Sequence, residues 1–130
     1  MKVSELIGPA LDWAVAHCEG FDLSGCSVSK VCSAADPNYA FYKSSWDKGG
    51  NYQYMPSTNW YQGGPLIEKN EMSLIRYRVS SGPVFWEALV GFDGEPGNAV
   101  QRGPTMLIAA MRCLVASKFG DEIEVPEELK

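Results

Sequence analysis

The sequence predicts an α+β fold, with a small antiparallel sheet packed against an N-terminal helix and a buried C-terminal helix. Three stretches carry that expectation. Residues 105–118 are apolar almost all round, which suits a helix covered on most sides. Residues 73–79 and 84–90 flank the turn signal Ser80-Ser81-Gly82-Pro83, the pattern of a β-hairpin. Leu11, Ala14, Val15 and Cys18 recur at helical spacing.

The first helix is expected from about residue 4 or 8 to residue 19. Pro9 fits an early helical position and Gly20 a helix end, while Asp12, His17 and Glu19 fall off the apolar stripe. Trp13 lies beside that stripe, placed to pack under the loop that follows. Residues 20–56 are aromatic but poorly periodic. They read as a long ordered loop or an irregular hairpin, with a strand-like alternation at 27–31. A short helix is expected from Pro65 to about residue 71, because Gly64-Pro65 repeats the punctuation of Gly8-Pro9 and Gly103-Pro104. The last helix is opened by Gly103-Pro104 and closed by Gly120, with Lys118 suiting the dipole of its final turn. Residues 123–125 read as a brief strand or an extended tail before Pro126.

Size and composition bound the function. A chain of 130 residues with 45% hydrophobic side chains makes one domain with a real core. The net charge of -5 argues against duplex nucleic acid, whose binding rests on phosphate neutralisation. No apolar run approaches the roughly 20 residues of a membrane span, and no signal-type stretch follows the polar start, so the expected location is the cytoplasm. Cys18, Cys26, Cys32 and Cys113 form no Cys-x-x-Cys pair, so reduced thiols are expected rather than a metal site, with Cys113 in the core. No cofactor motif is present: there is neither a phosphate-loop sequence nor a dinucleotide glycine triplet.

Candidate chemistry falls into three classes. Helix starts at residues 65 and 104 offer free N–H groups to an anion, with Thr105, Arg102 and Arg112 beside them and Trp60 or Trp86 to stack on a base. Catalysis has less behind it. His17 and Cys18 are neighbours and point about 100° apart on a helix, and no Gly-x-Ser-x-Gly elbow occurs. Carboxylates such as Asp12, Glu68, Glu87 and Asp93 can pair only through the fold. Protein binding is the third class, since the aromatics of 39–61 have the composition of a contact surface.

Several blocks together resemble a known family. They are Ala10-Leu11-Asp12-Trp13-Ala14, then Pro56-Ser57-Thr58-Asn59-Trp60 with Gln62-Gly63-Gly64-Pro65, then Trp86-Glu87-Ala88, and Gly103-Pro104-Thr105 running on to Arg112-Cys113. They resemble a NinX-like family of small phage and prophage proteins of unknown function. The closing residues 120–126 fit it as well, while 26–53 stand outside the match. The resemblance implies a phage accessory protein acting in the bacterial cytoplasm.

The expected site is one pocket of Asn59, Trp60, Gly63, Gly64, Trp86, Thr105 and Arg112. Asn59 orients a polar group, the indoles stack, the glycines admit a close approach and Arg112 pairs with an anion. The expected function is non-enzymatic binding of a host protein or a small anionic ligand. Sequestration of a nucleotide signal and a small nucleotide-processing enzyme are the alternatives, and homo-oligomerisation stays open.

Overall fold

The computed structural model describes residues 1–20, 26–28, 41–45, 50–91, 95 and 97–129, with 26–28, 41–45, 50–53 and 128 given by backbone alone. Helix α1 spans Gly8–Cys18. Strands β1 (Cys26–Val28), β2 (Phe41–Ser45) and β3 (Gly50–Gln53) follow. Next come helix α2 (Trp60–Lys69), strands β4 (Ser73–Arg78), β5 (Val84–Val90) and β6 (Ala99–Gly103), and helix α3 (Met106–Phe119).

Two antiparallel three-stranded sheets result, in the orders β1-β2-β3 and β4-β5-β6. The predicted hairpin is β4–β5, registered Ser73 to Leu89 and Arg78 to Val84. Its turn closes through the Gly82 N–H donating to the Val79 carbonyl at 2.7 Å, with Ser80 taking a positive φ of 47°. Of the strand-like alternation expected at 27–31, residues 27 and 28 lie in β1, and β2 pairs with β3 inside the stretch expected as a loop or irregular hairpin; residues 21–25, 29–40 and 46–49 lie outside the described residues.

Helix α3 is the centre of the domain. Its buried residues are Leu107, Ile108, Ala109, Ala110, Met111, Cys113, Leu114 and Val115, a nearly unbroken run that covers most of the helix circumference. It packs on β5, β6 and α1. Cys113 serves there as a small apolar residue: burial pushes its thiol up to about 12, and Sγ lies 3.3 Å from the Ala99 carbonyl. From α1 come Ala10, Leu11, Ala14, Val15 and Ala16, all buried in the same core.

The two ends of the chain meet. Val3 N–H donates to the Asp121 carbonyl at 2.8 Å and Ile123 N–H to the Met1 carbonyl at 3.0 Å. The residues predicted as a strand or tail thereby pair with the start of the chain, and Ile123 and Val125 are buried. Trp13 is half-buried and stacks on His17, which stacks in turn on Phe119 with ring centroids 4.9 Å apart.

Two helix starts differ from the sequence expectation. Helix α2 begins at Trp60, a turn before Pro65. Asn59 is the reason: its Oδ1 accepts from the Tyr61 N–H at 2.8 Å, and its carbonyl accepts from Gln62 and Gly63. Pro65 is therefore inside the helix. The N–H it lacks would have met the carbonyl of Tyr61, a residue open to solvent at 90% exposure, so water can replace the bond. At α3, Pro104 precedes the cap: Thr105 Oγ1 accepts from the Ile108 N–H at 3.1 Å and Met106 is the first helical residue.

Candidate functional site: a tryptophan cavity between two helix starts

The loop before α2 is tied at both ends. Thr58 and Asn59 N–H groups donate to the Met55 carbonyl, and the Met55 N–H donates to Gln62 Oε1 at 2.7 Å. The Ser57 N–H donates to Asp12 Oδ1 at 2.8 Å, which fastens the loop to α1. Asp12 was expected on the solvent side of that helix; it is 1% exposed. Burial pushes its carboxyl from 3.8 up to about 7, partly offset by the Ser57 N–H. The Ser57 hydroxyl is buried beside the same carboxyl and, like the N–H, lowers its pKa.

Gly63 brings this loop against α3. A Cβ built there would stand against the Pro56 carbonyl oxygen and 2.7 Å from Leu107 Cδ2. Only a residue without a side chain lets the first turn of α2 pass so close to the first turn of α3. The starts of two helices thus face one hollow.

That hollow is a cavity of about 420 Å³ lined by Ser57, Thr58, Trp60, Trp86, Pro104, Thr105, Met106, Leu107 and Ile108. The volume is in the range of small-ligand sites, roughly 300–1,000 Å³. Its lining is mostly aromatic and apolar, with Ser57, Thr58 and Thr105 as the polar residues. Asn59 satisfies the Tyr61 N–H and Thr105 the Ile108 N–H, while the N–H groups of Met106 and Leu107 have no intrahelical acceptor. Each helix start also carries about half a positive elementary charge. The arrangement can hold a flat ring beside an indole and an anionic group at the helix ends.

The fold divides the seven residues expected to share one pocket. Trp60, Trp86 and Thr105 line the cavity together. Asn59 acts as the cap of α2 and so sets the position of Trp60. Gly63 admits the protein's own loop and Leu107, whereas Gly64 faces outward with only the Trp60 ring near, at 3.8 Å.

Arg112 does not join the tryptophans. Its Nε donates to the Leu6 carbonyl and its Nη1 to the Arg102 carbonyl, each at 2.8 Å. It lines a separate hollow of about 560 Å³ with Ser4, Phe85, Glu87, Gln101 and Arg102. Partial burial lowers its pKa. The fork bonds the segment before α1 to the end of β6, so Arg112→Met should destabilise the domain by about 1–3 kcal/mol, chiefly through the orphaned carbonyl of the buried Leu6. A melting curve checks this, and an unchanged Tm counts against the structural role.

Sequence reading missed Ser57 and Asp12. The signal for Asp12 was present: a carboxylate enclosed by Leu11, Trp13, Ala14 and Val15 sits on a helix with little polar face. Ser57 carried no such mark.

Among the described residues, no helix is long and apolar enough to cross a membrane. A comparison with curated proteins found no match. The model of the family described as bacteriophage P22 NinX matches residues 2–118, which include every wall of the tryptophan cavity and both helix starts. On that match, the chain belongs to the bacteriophage P22 NinX family.

Proposed function

We propose that this phage accessory protein is a non-enzymatic binder whose tryptophan cavity takes a small ligand with a flat ring and an anionic group. The observation that carries the reading is the convergence of two helix starts and two indoles on one hollow of about 420 Å³. Trp60 is 53% exposed and stands ready to stack, while Trp86 is half-buried and forms a fixed wall. Nucleotides and cyclic dinucleotides have both required parts, so sequestration of a nucleotide signal is the biological form of this reading. Ligand recovered unchanged by mass spectrometry after release distinguishes holding from turnover.

A thermal-shift series with nucleoside monophosphates and cyclic dinucleotides tests it. Binding raises Tm by mass action, by about 2.7 kcal/mol of stability at a hundred times Kd. Trp60→Ala should weaken the best ligand about tenfold or more, since stacking on an aromatic side chain contributes about 1–3 kcal/mol per base. Absence of a shift with every compound rejects the reading. Capture of a host protein is the second reading. It is favoured by Tyr61, 90% exposed beside Trp60, which gives an outward aromatic pair.

A further inference from the structure

We propose that Arg76, with Arg78 beside it, is the cation that recognises the ligand's anionic group at the mouth of the tryptophan cavity. This rests on the binding reading above and supplies the charge that Arg112, held by two carbonyls, does not.

The register places it. Arg76 stands directly opposite Trp86 in the β4–β5 ladder, and Arg78 opposite Val84. Residues directly opposite in an antiparallel pair share a face, as do alternate residues along a strand. Leu74, Arg76 and Arg78 therefore belong to the face that carries Trp86 and Ala88. At the Leu74 end this face is core: Ala88 is fully buried and Leu74 packs against the cluster. At the other end it is open, and both arginines are exposed. The change follows from where α3 begins. Gly103 pairs with Trp86, and the chain turns from there into the first turn of α3, so the helix covers the sheet from Trp86 toward Leu74 and leaves the rest bare.

On β4, an edge strand, the face shared with Trp86 passes from Leu74 to Arg76 and Arg78, and Trp86 is itself a wall of the cavity. Neither arginine makes an ion pair or hydrogen bond with another described residue, whereas Arg102 on the opposite face is engaged by Glu87 at 3.0 Å. In a chain of net charge -5, two guanidiniums side by side with no partner among the described residues make a local field of the opposite sign. Ring, helix ends and guanidinium then address different parts of one ligand, and a guanidinium can grip a phosphate through two parallel N–H bonds.

The test is calorimetric titration of the four ribonucleoside 5′-monophosphates and their nucleosides into wild type, Arg76→Ala and Arg76→Ala/Arg78→Ala. In wild type the best monophosphate should bind at least about tenfold tighter than its nucleoside, with an affinity that falls as salt rises. Arg76→Ala should remove most of that advantage and most of the salt dependence, leave nucleoside affinity and Tm unchanged, and be partly rescued by Arg76→Lys. An undiminished phosphate advantage in the double variant overturns the assignment while the cavity reading stands. Failure of wild type to bind any nucleoside or nucleotide overturns both.

Discussion

Asp12→Asn should leave stability near the wild-type value at pH 4 and exceed it by about 4 kcal/mol at pH 8. The carboxyl titrates at 3.8 when the chain is unfolded and at about 7 in the fold. Between those values the folded protein keeps a proton that the unfolded chain has lost. Stability therefore falls as pH rises through this window and levels off above it, by about 1.4 kcal/mol for each unit of difference. Asparagine can keep the acceptor for the Ser57 N–H at 2.8 Å while carrying no charge to bury. Chemical denaturation of both proteins from pH 4 to pH 8 gives the difference directly, and the other carboxylates cancel in it. A gap that stays constant with pH would show that Asp12 is not the buried proton site. The cavity loop hangs on this residue, so ligand affinity should change with pH around 7, where the folded carboxyl titrates, in wild type and not in the variant.

The adjacent glycines of α2 should respond with opposite signs. Gly63→Val should cost about 3 kcal/mol or more, at the upper end of overpacking. Its side chain would meet the Pro56 backbone carbonyl and Leu107 Cδ2, and a carbonyl fixed in the loop cannot swing aside as a side-chain tip can. Gly64→Ala meets only ordinary contact with Trp60 and should gain up to about 1 kcal/mol of helix propensity. Melting temperatures should separate by more than about 10 °C, at roughly 3–5 °C per kcal/mol for a domain of this size. Equal effects at the two positions would contradict the close passage of α2 against the loop. Because Gly63 sets the distance between two walls of the cavity, the valine variant should also lose any ligand-induced shift.

Much of the fold was legible because long periods leave long records. Helix α3 announces itself by fourteen residues with almost no polar face, and β4–β5 by a turn signal between two strands. Strand β6 has five residues, too few to show a period, and the Gly103-Pro104 signal for a helix start overlaps its end. Gly-Pro misled at α2 because capping decides where a helix begins: Asn59 satisfies the Tyr61 N–H, and that outweighs a proline five residues on. For the site, the aromatic and hydroxyl walls were readable as residue types. The charges were not. Arg112 and Arg76 look alike in sequence, and only strand register and two carbonyls tell which one is occupied and which is open.

The element on which everything else is layered is synthesised after the helix and strands it packs against. At about 5–20 residues per second, α3 reaches solution about 5–20 s after α1. Until then the apolar faces of α1 and the second sheet have nothing to bury against, and the junction of Met1 and Val3 with residues 121–123 cannot close. Folding of this domain on the ribosome is therefore deferred until α3 has emerged. Nascent chains stalled before Met106 should be sensitive to protease along their length, and those carried past Val125 resistant.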